Sequence, residues 1–209
     1  MTDLTPRSAA KRQQIMDAAL TVFLENGYVG ASMDQVAAIA AVSKQTVYKQ
    51  FKDKEHLFRS IIEDIGDRVG DPFVEISERV AETDDVERAI HTLAGTFVTT
   101  IMDPRVQQTR RLVIGEAARF PALGTAYWEG GFGRALTTVA GCFARLHERG
   151  LLKVEDPATA ANHFAGLLLW IPSNRVMFHG RTDAVSAEEL AAFAASGARA
   201  FLAAYGTHP

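Results

Sequence analysis

Helical periodicity is the feature that most limits what this chain can fold into. Apolar residues recur at steps of three and four along almost the whole sequence, as in the stripe formed by Ile15, Ala18, Ala19, Val22 and Phe23. Residues at this spacing share one face of an α-helix, whereas a half-buried strand needs strict alternation, which no stretch shows. The pattern therefore predicts an all-α protein.

Local signals divide the periodic stretches into helices. Asn26-Gly27 predicts the end of the first helix, Ser32 and Gln35 have capping-box spacing, and Asp53 can cap a fourth helix that runs from Lys54 to about residue 67. Prolines stand at the starts or breaks of the later helices. Those helices are predicted near 73–82 with 84–102, 104–119, 122–149, 157–178 and 187–205.

A short third helix is the best-specified segment. With Ser43 as its N-cap, Val42 and Val47 have the spacing of a hydrophobic staple. Helical geometry directs Val47 and Phe51 one way, and a group of polar side chains the other way. The preceding helix, 33–40, ends three residues earlier, so the pair predicts a helix-turn-helix. The outward group comprises Gln45, Thr46 and Lys49, flanked by Lys44 and Tyr48.

Charge is unevenly distributed between this region and the remainder. The chain has 209 residues and a net charge of −3, but residues 1–60 hold eight Lys and Arg against six Asp and Glu. Four lysines lie between Ser43 and Lys54. A local basic patch on an acidic protein favours nucleic-acid binding. On composition alone, a solvated charged face explains the patch equally well.

The segment ALTVFLENGYVGASMDQVAAIAAVSKQTVYKQFKDKEHLF (19–58) closely resembles the DNA-binding region of TetR/AcrR-type transcriptional regulators. The resemblance implies an all-helical dimer in which each chain places its third helix in one operator half-site. It also implies that Ser32 and Lys54 meet phosphates at helix N-termini. Ala41 stands where the family usually has Gly, and Gln45 where it has a small residue. The residues implied to face DNA are Ser43, Lys44, Gln45, Thr46, Tyr48 and Lys49.

The sequence divides into a helix-turn-helix DNA-binding domain at 1–55 and a helical ligand-binding and dimerisation domain at 56–209. Similar regulators hold an inducer among the helices of the second region, although aromatic stripes are more often plain core. Glu116, His163 and Asn174 could orient a ligand or simply be satisfied polar groups. The candidate pocket residues are Phe97, Ile101, Phe120, Trp128, Phe132, Phe143, Trp170, Asn174 and Phe178.

The last two helices combine small and large apolar residues, which favours close helix packing. The resemblance implies a four-helix bundle between two subunits, and packing within one chain is the alternative. Pro172 predicts a kink or an end in the helix that contains it. The candidate interface residues are Phe164, Leu167, Leu168, Ile171, Leu190, Phe193 and Phe201.

Other function classes have weaker support. The sequence has no zinc-binding histidine pair, no phosphate loop and no nucleophile elbow, so we expect no metal, no cofactor and no enzyme. The single cysteine, Cys142, lies in an apolar stripe and suits a cytoplasmic protein without a membrane span. We predict a repressor released from a pseudo-palindromic operator by a lipophilic or aromatic effector. The alternatives are a helical-bundle enzyme acting on a lipophilic substrate and a dimeric adaptor that binds no DNA.

Overall fold

The computed structural model describes residues 6–207, which form an all-α protein as the periodicity predicts. Within that range no residue belongs to a β-strand, and only an isolated bridge joins Leu152 to Gly206. The elements are α1 (Pro6–Gly30), α2 (Met33–Ile39), α3 (Lys44–Gln50), α4 (Lys54–Glu82), α5 (Val86–Ile101), α6 (Pro104–Glu116), α7 (Pro121–Tyr127), a π-helical turn (Trp128–Phe132), α8 (Gly133–Glu148), α9 (Pro157–His179) and α10 (Ala187–Tyr205).

Packing groups the residues into two compact units. Of the described residues, the first unit contains 6–64 together with 109–127, and the second contains 65–108 together with 128–207. The unit that carries the helix-turn-helix is thus not one continuous stretch. The sequence division at residue 55 placed residues 109–127 in the other domain.

The first unit has an aromatic core. Phe23 meets Phe58 edge to face at 5.0 Å between ring centroids, and the ring of Tyr28 lies 5.0 Å from that of Phe58. Gly27 adopts φ 68°, which breaks α1 near its end and confirms the predicted stop. These contacts bring the end of α1 against the start of α4.

The helix ends in this unit follow the predicted caps. Ser32 and Gln35 form the capping box of α2, and Ser43 Oγ accepts the Thr46 N–H at 3.1 Å at the start of α3. Asp53 accepts the backbone N–H of His56 at 2.9 Å at the start of α4. Each cap satisfies a backbone donor that the first helical turn leaves without an intrahelical partner.

The second unit is built around a chain of aromatic rings. Phe97 of α5 contacts Phe164 of α9 at 5.7 Å, and Phe164 in turn contacts Phe143 of α8 at 5.4 Å and Phe201 of α10 at 5.1 Å. All four side chains are fully buried. Close approach of α9 and α10 occurs at Gly197, where a Cβ would lie 2.6 Å from Leu168 Cδ2.

Two helices depart from the sequence predictions. Helix α4 continues through Pro72 to Glu82, well beyond residue 67. The predicted helix 122–149 is interrupted by the π-helical turn. Helix α9, in contrast, has nearly the predicted bounds and continues through Pro172 to His179, so of the two predicted effects of Pro172 only the kink stays a prediction. Proline removes one helical hydrogen bond, and the apolar surface that α9 buries on both sides of Pro172 offsets that loss.

Among residues 6–207, no helix has an apolar stretch of the length that a bilayer crossing requires.

Candidate nucleic-acid interface

Helix α3 is anchored by one apolar edge and exposes the other. Val47 is fully buried and Phe51, which ends the helix, is 2% exposed. Thr46 is half-buried. This arrangement directs amide, hydroxyl and ammonium groups away from the core, as the periodicity predicts. The exposed side chains on the helix are Lys44, Gln45, Tyr48 and Lys49.

Two hydroxyl groups at the start of α3 are already engaged. Ser43 Oγ lies 2.8 Å from Thr46 Oγ1 in addition to accepting the Thr46 N–H. The Ser43 side chain therefore fixes the start of the helix, and its contact with DNA stays a prediction. Ser32 is likewise exposed, and its hydroxyl and backbone N–H both belong to the capping box of α2.

Lys44 has an acidic neighbour that sequence reasoning missed. Its Nζ lies 2.6 Å from Oδ2 of Asp34 on α2, and both side chains are more than half exposed. Ion pairs this exposed contribute little to stability, so the Lys44 ammonium can exchange Asp34 for another anion at small cost. The two residues are ten positions apart, and the helix-turn-helix geometry alone brings them together.

Lys54 holds the connection between α1 and α2. Its Nζ donates to the carbonyl oxygens of Tyr28 at 2.7 Å, Val29 at 3.1 Å and Ala31 at 2.9 Å. The ammonium also lies 4.8 Å from the centroid of the Tyr28 ring. An ammonium has three donors, and here each has a backbone acceptor. Lys54 thus stabilises this turn, and its contact with a phosphate stays a prediction.

The same turn is held from the other side by residues far along the chain. Glu116 Oε1, at the end of α6, accepts the backbone N–H of Tyr28 at 3.1 Å. The Phe120 ring meets the Tyr28 ring edge to face at 4.8 Å. Burial and neighbouring carboxylates raise the pKa of the Tyr28 hydroxyl above its ordinary value. Glu116 is therefore a satisfied polar group, and Phe120 packs on the helix-turn-helix unit.

Helix α1 also clamps the helix-turn-helix through contacts that no local pattern predicts. Arg12 donates to Ser60 Oγ at 2.8 Å and to the Gln50 carbonyl at 3.4 Å, and its guanidinium lies 4.3 Å from the Phe51 ring centroid. Gln14 donates to the carbonyl oxygen of Ala40 at 2.9 Å. These bonds tie the ends of α2 and α3 to α1.

The predicted pocket residues separate into different environments. Phe132 lies 5.4 Å from Trp128 and 6.1 Å from Phe97 between ring centroids, so these three form one aromatic cluster. Phe97, Ile101 and Phe143 are core residues. Trp170 and Phe178 are 71% and 85% exposed on α9, apart from that cluster, and their assignment to a pocket stays a prediction.

The polar groups considered as ligand-orienting residues have partners within the chain. Asn174 Nδ2 donates to the Trp170 carbonyl at 2.6 Å, and His163 Nδ1 lies 2.6 Å from the Tyr205 hydroxyl. Asn174 thus bonds within α9, and His163 takes part in the contact of α9 with α10.

Burial raises the pKa of the Cys142 thiol to about 11, so this cysteine is protonated at neutral pH.

The predicted interface residues also lie in different environments, and their role in dimerisation stays a prediction. Phe164, Leu168 and Phe201 are fully buried within a single chain. Leu190 and Phe193 are half-buried on α10. An exposed apolar face nevertheless exists on α9, and we call it the α9 face. It comprises Leu167, Trp170, Ile171 and Phe178.

Comparison with known proteins agrees with this geometry. A family model described as "Bacterial regulatory proteins, tetR family" matches residues 15–61, and one described as "AefR-like transcriptional repressor, C-terminal domain" matches residues 88–207. A TetR-family regulator from Mesorhizobium loti is 40% identical, with a TM-score of 0.86 over 97% of this chain and 100% of that one. The flavonoid-responsive regulator FrrA is 26% identical, with a TM-score of 0.69 over 96% of this chain and all of FrrA.

Similarity to the curated relatives covers about a quarter of this chain. AcrR of Shigella flexneri is 40% identical over 52 residues, which are 25% of this chain and 24% of that protein. The chain matches about a quarter of the length of the curated relatives. The two family models together account for the helix-turn-helix and most of the second unit. The chain therefore belongs to the TetR family, and it is a DNA-binding transcriptional regulator.

Proposed function

We propose that the chain acts as a dimeric repressor that binds a pseudo-palindromic operator through α3 and leaves it when a small aromatic or lipophilic effector binds. The observation that carries the proposal is the exposed polar side of α3 above the buried anchors Val47 and Phe51. A helix held in this way can enter the major groove as a rigid unit.

The exposed side chains match the chemistry of a duplex. An amide such as that of Gln45 can bond an adenine edge in two places, and the methyl of Thr46 suits a thymine methyl. Lys44, Tyr48 and Lys49 carry groups that bind phosphate oxygens. We therefore assign base selection mainly to Gln45 and Thr46, and backbone contacts to the other three.

Dimerisation supplies the second half-site. Two copies of α3 are needed to meet a pseudo-palindrome, and their spacing must fit successive turns of one face of the duplex. We assign the contact between subunits to the α9 face, because its four large apolar side chains are exposed in the single chain. Apolar patches of this kind on a protein surface favour association.

The aromatic cluster of Phe97, Trp128 and Phe132 supports an aromatic effector, since offset and edge-on ring contacts suit such a guest. FrrA is described as flavonoid-responsive, and its fold similarity to this chain supports the same class of ligand. We propose that the effector displaces α4, whose Lys54 holds the turn between α1 and α2. It must bind the DNA-free dimer more tightly than the operator-bound one, because only a difference in affinity can shift the equilibrium.

The decisive experiment selects bound fragments from random duplex DNA with the full chain. We expect enrichment of a pseudo-palindrome whose half-sites are one helical turn apart or a multiple of it. Enrichment of no sequence at a range of salt concentrations would contradict the proposal and favour the adaptor. Turnover of a lipophilic compound together with that result would favour the enzyme.

The role of Gln45 is tested on the selected duplex. Gln45→Ala is expected to lose discrimination at one base pair per half-site, by about 1–3 kcal/mol for a bidentate contact. Fluorescence anisotropy measures the affinity of each protein for single-base variants of the duplex, and the differences in affinity give the discrimination. Gln13→Ala is the matched control, because the Gln13 amide donates to Asp17 Oδ1 in an exposed hydrogen bond within α1. Uniform weakening across all duplexes would remove the base-reading role.

A further inference from the structure

A basic groove lies between the start of α1 and one side of α3. We call it the α1–α3 groove, and its volume is about 370 Å³. Three of the described residues that line it are cationic and the other three carry hydroxyl or amide groups, so none of these six is acidic. The lining residues are Arg7, Ser8 and Lys11 of α1, and Thr46, Lys49 and Gln50 of α3.

The two walls of the groove are joined by direct contacts. Gln50 Nε2 on α3 donates to Ser8 Oγ on α1 at 3.3 Å. Arg12, also on α1, donates to the Gln50 carbonyl at 3.4 Å. Arg12 also covers the Phe51 ring at the end of α3. The groove is thus part of the packing of α1 against α3.

The cations of the groove differ from the other lysine of α3 in their partners. Lys44 is paired with Asp34, whereas Arg7, Lys11 and Lys49 make no ion pair within residues 6–207. Arg7, Lys11 and Lys49 are all exposed. Three like charges around one concavity repel each other, and an anion seated among them relieves that repulsion.

We infer that the α1–α3 groove binds a backbone phosphate of the operator, beside the bases that α3 contacts. This inference rests on the proposed function, since it requires α3 to enter the duplex. A major groove that admits a helix is bordered by sugar-phosphate backbone on both sides. Lys49 and Thr46 lie on α3 itself. When α3 enters the major groove, the α1–α3 groove therefore lies next to the sugar-phosphate backbone. Guanidinium, ammonium, hydroxyl and amide donors are the groups that bind phosphate oxygens.

A phosphate contact of this kind fixes the register of α3 without selecting bases. Arg7 and Lys11 thereby extend the DNA-contacting surface from the helix-turn-helix to the start of α1. Each phosphate neutralised contributes about 0.9 to the slope of log K against log salt for B-DNA. Removing one of these cations is expected to lower that slope and to leave the order of preference among operator variants unchanged.

The test uses the full chain and the duplex that the wild-type chain selects from random DNA. Lys11→Gln is compared with Lys153→Gln, which removes the same charge from an exposed position in the second unit. We expect Lys11→Gln to lower the salt slope by about 0.9 for each phosphate that the variant no longer neutralises, and Lys153→Gln to leave it unchanged. Thermal unfolding of both variants verifies that they fold like the wild type.

Neutral methylphosphonate substitutions, placed one at a time along the duplex, locate the phosphate. At one position per half-site the substitution should weaken the wild-type chain and should have little further effect on Lys11→Gln. A wild-type salt slope in Lys11→Gln, or equal methylphosphonate sensitivity in both proteins, would overturn the inference while the selected operator still supports the proposed function. If the wild-type chain selects no sequence, the proposed function and this inference fail together.

Discussion

At the scale of single residues, Ala41 shows how a departure from the usual pattern is accommodated. Its φ is 50°, in the left-handed region that favours glycine. Ala41 N–H binds the Ala38 carbonyl at 3.2 Å and Val42 N–H binds the Ala37 carbonyl at 3.1 Å. This pair of bonds is the Schellman pattern, which satisfies the carbonyls at the end of α2. The turn geometry is thus retained although its preferred residue is missing.

We predict that Ala41→Gly stabilises the protein. A left-handed alanine costs about 1–2 kcal/mol, and the extra freedom of glycine in the unfolded chain costs about 0.4–1 kcal/mol, so the net gain is about 0.5–1 kcal/mol. Urea unfolding measures the change in the free energy of unfolding. Ala38→Gly, at an exposed helical position of α2, is the control and should lose about 0.5–1 kcal/mol. Equal losses in both variants would show that Ala41 carries no strain.

The exposure of a side chain can be predicted from the sequence where it depends on the geometry of a single helix. The exposed side of α3 follows from the positions of Val47 and Phe51 alone, because helical geometry fixes the directions of their neighbours. The contacts of Arg12 and Lys54 are missed, since they join residues 23 to 48 positions apart. No spacing rule within one helix reports such contacts.

At the scale of elements, α4 and the π-helical turn approach each other at a glycine. A Cβ added to Gly66 would lie 2.7 Å from the Gly130 carbonyl oxygen and 3.0 Å from its carbonyl carbon. Arg134 closes the same contact by donating to the Gly66 carbonyl at 2.8 Å and to Asp67 Oδ1 at 3.3 Å. The two segments are thus held backbone against backbone, which leaves no room for a side chain at Gly66.

Gly66→Ala is therefore expected to destabilise the protein although alanine is the better helix former. Relieving the clash requires backbone movement, and overpacking of this kind costs about 1–3 kcal/mol. Gly141→Ala in α8 is the matched control, because a Cβ there meets nothing within 4 Å. That variant should gain about 0.5–1 kcal/mol from helix propensity. Thermal unfolding measures both changes. Unfolding temperatures that shift in the same direction for both variants would contradict the packing argument.

The bounds of a helix can be predicted from the sequence where a local cap sets them. The prediction fails where tertiary packing sets them. Ser43, Asp156 and Ser186 cap α3, α9 and α10, and those helices begin within a residue of their predicted starts. The passage of α4 through Pro72 leaves no periodic signal. The grouping of residues 109–127 with the helix-turn-helix depends on contacts such as Phe120 with Tyr28, which only the folded chain reveals.

At the scale of the whole molecule, burial changes which residues are available for assembly. The sequence could not distinguish the two apolar sides of α9, because leucines and phenylalanines occur on both. One side packs in the core through Phe164 and Leu168, and the other is the α9 face. A helix that is apolar on most of its circumference must bury more than one side. The second side therefore needs a covering surface, which a second copy of the chain supplies in the proposed dimer.

Trp170→Glu should consequently separate the proposed dimer. Trp170 is 71% exposed in the single chain, so the substitution leaves the core intact and places a charge within the α9 face. Sedimentation velocity should show a monomer at concentrations where the wild type is a dimer. Its affinity for the selected operator should fall steeply, because one α3 meets only one half-site. Val74→Glu, at an exposed apolar position of α4 that is 53% accessible, is the control and should stay dimeric. A dimeric Trp170→Glu with wild-type operator affinity would place the interface elsewhere, and the spacing of the two α3 helices would then have to be set by another face.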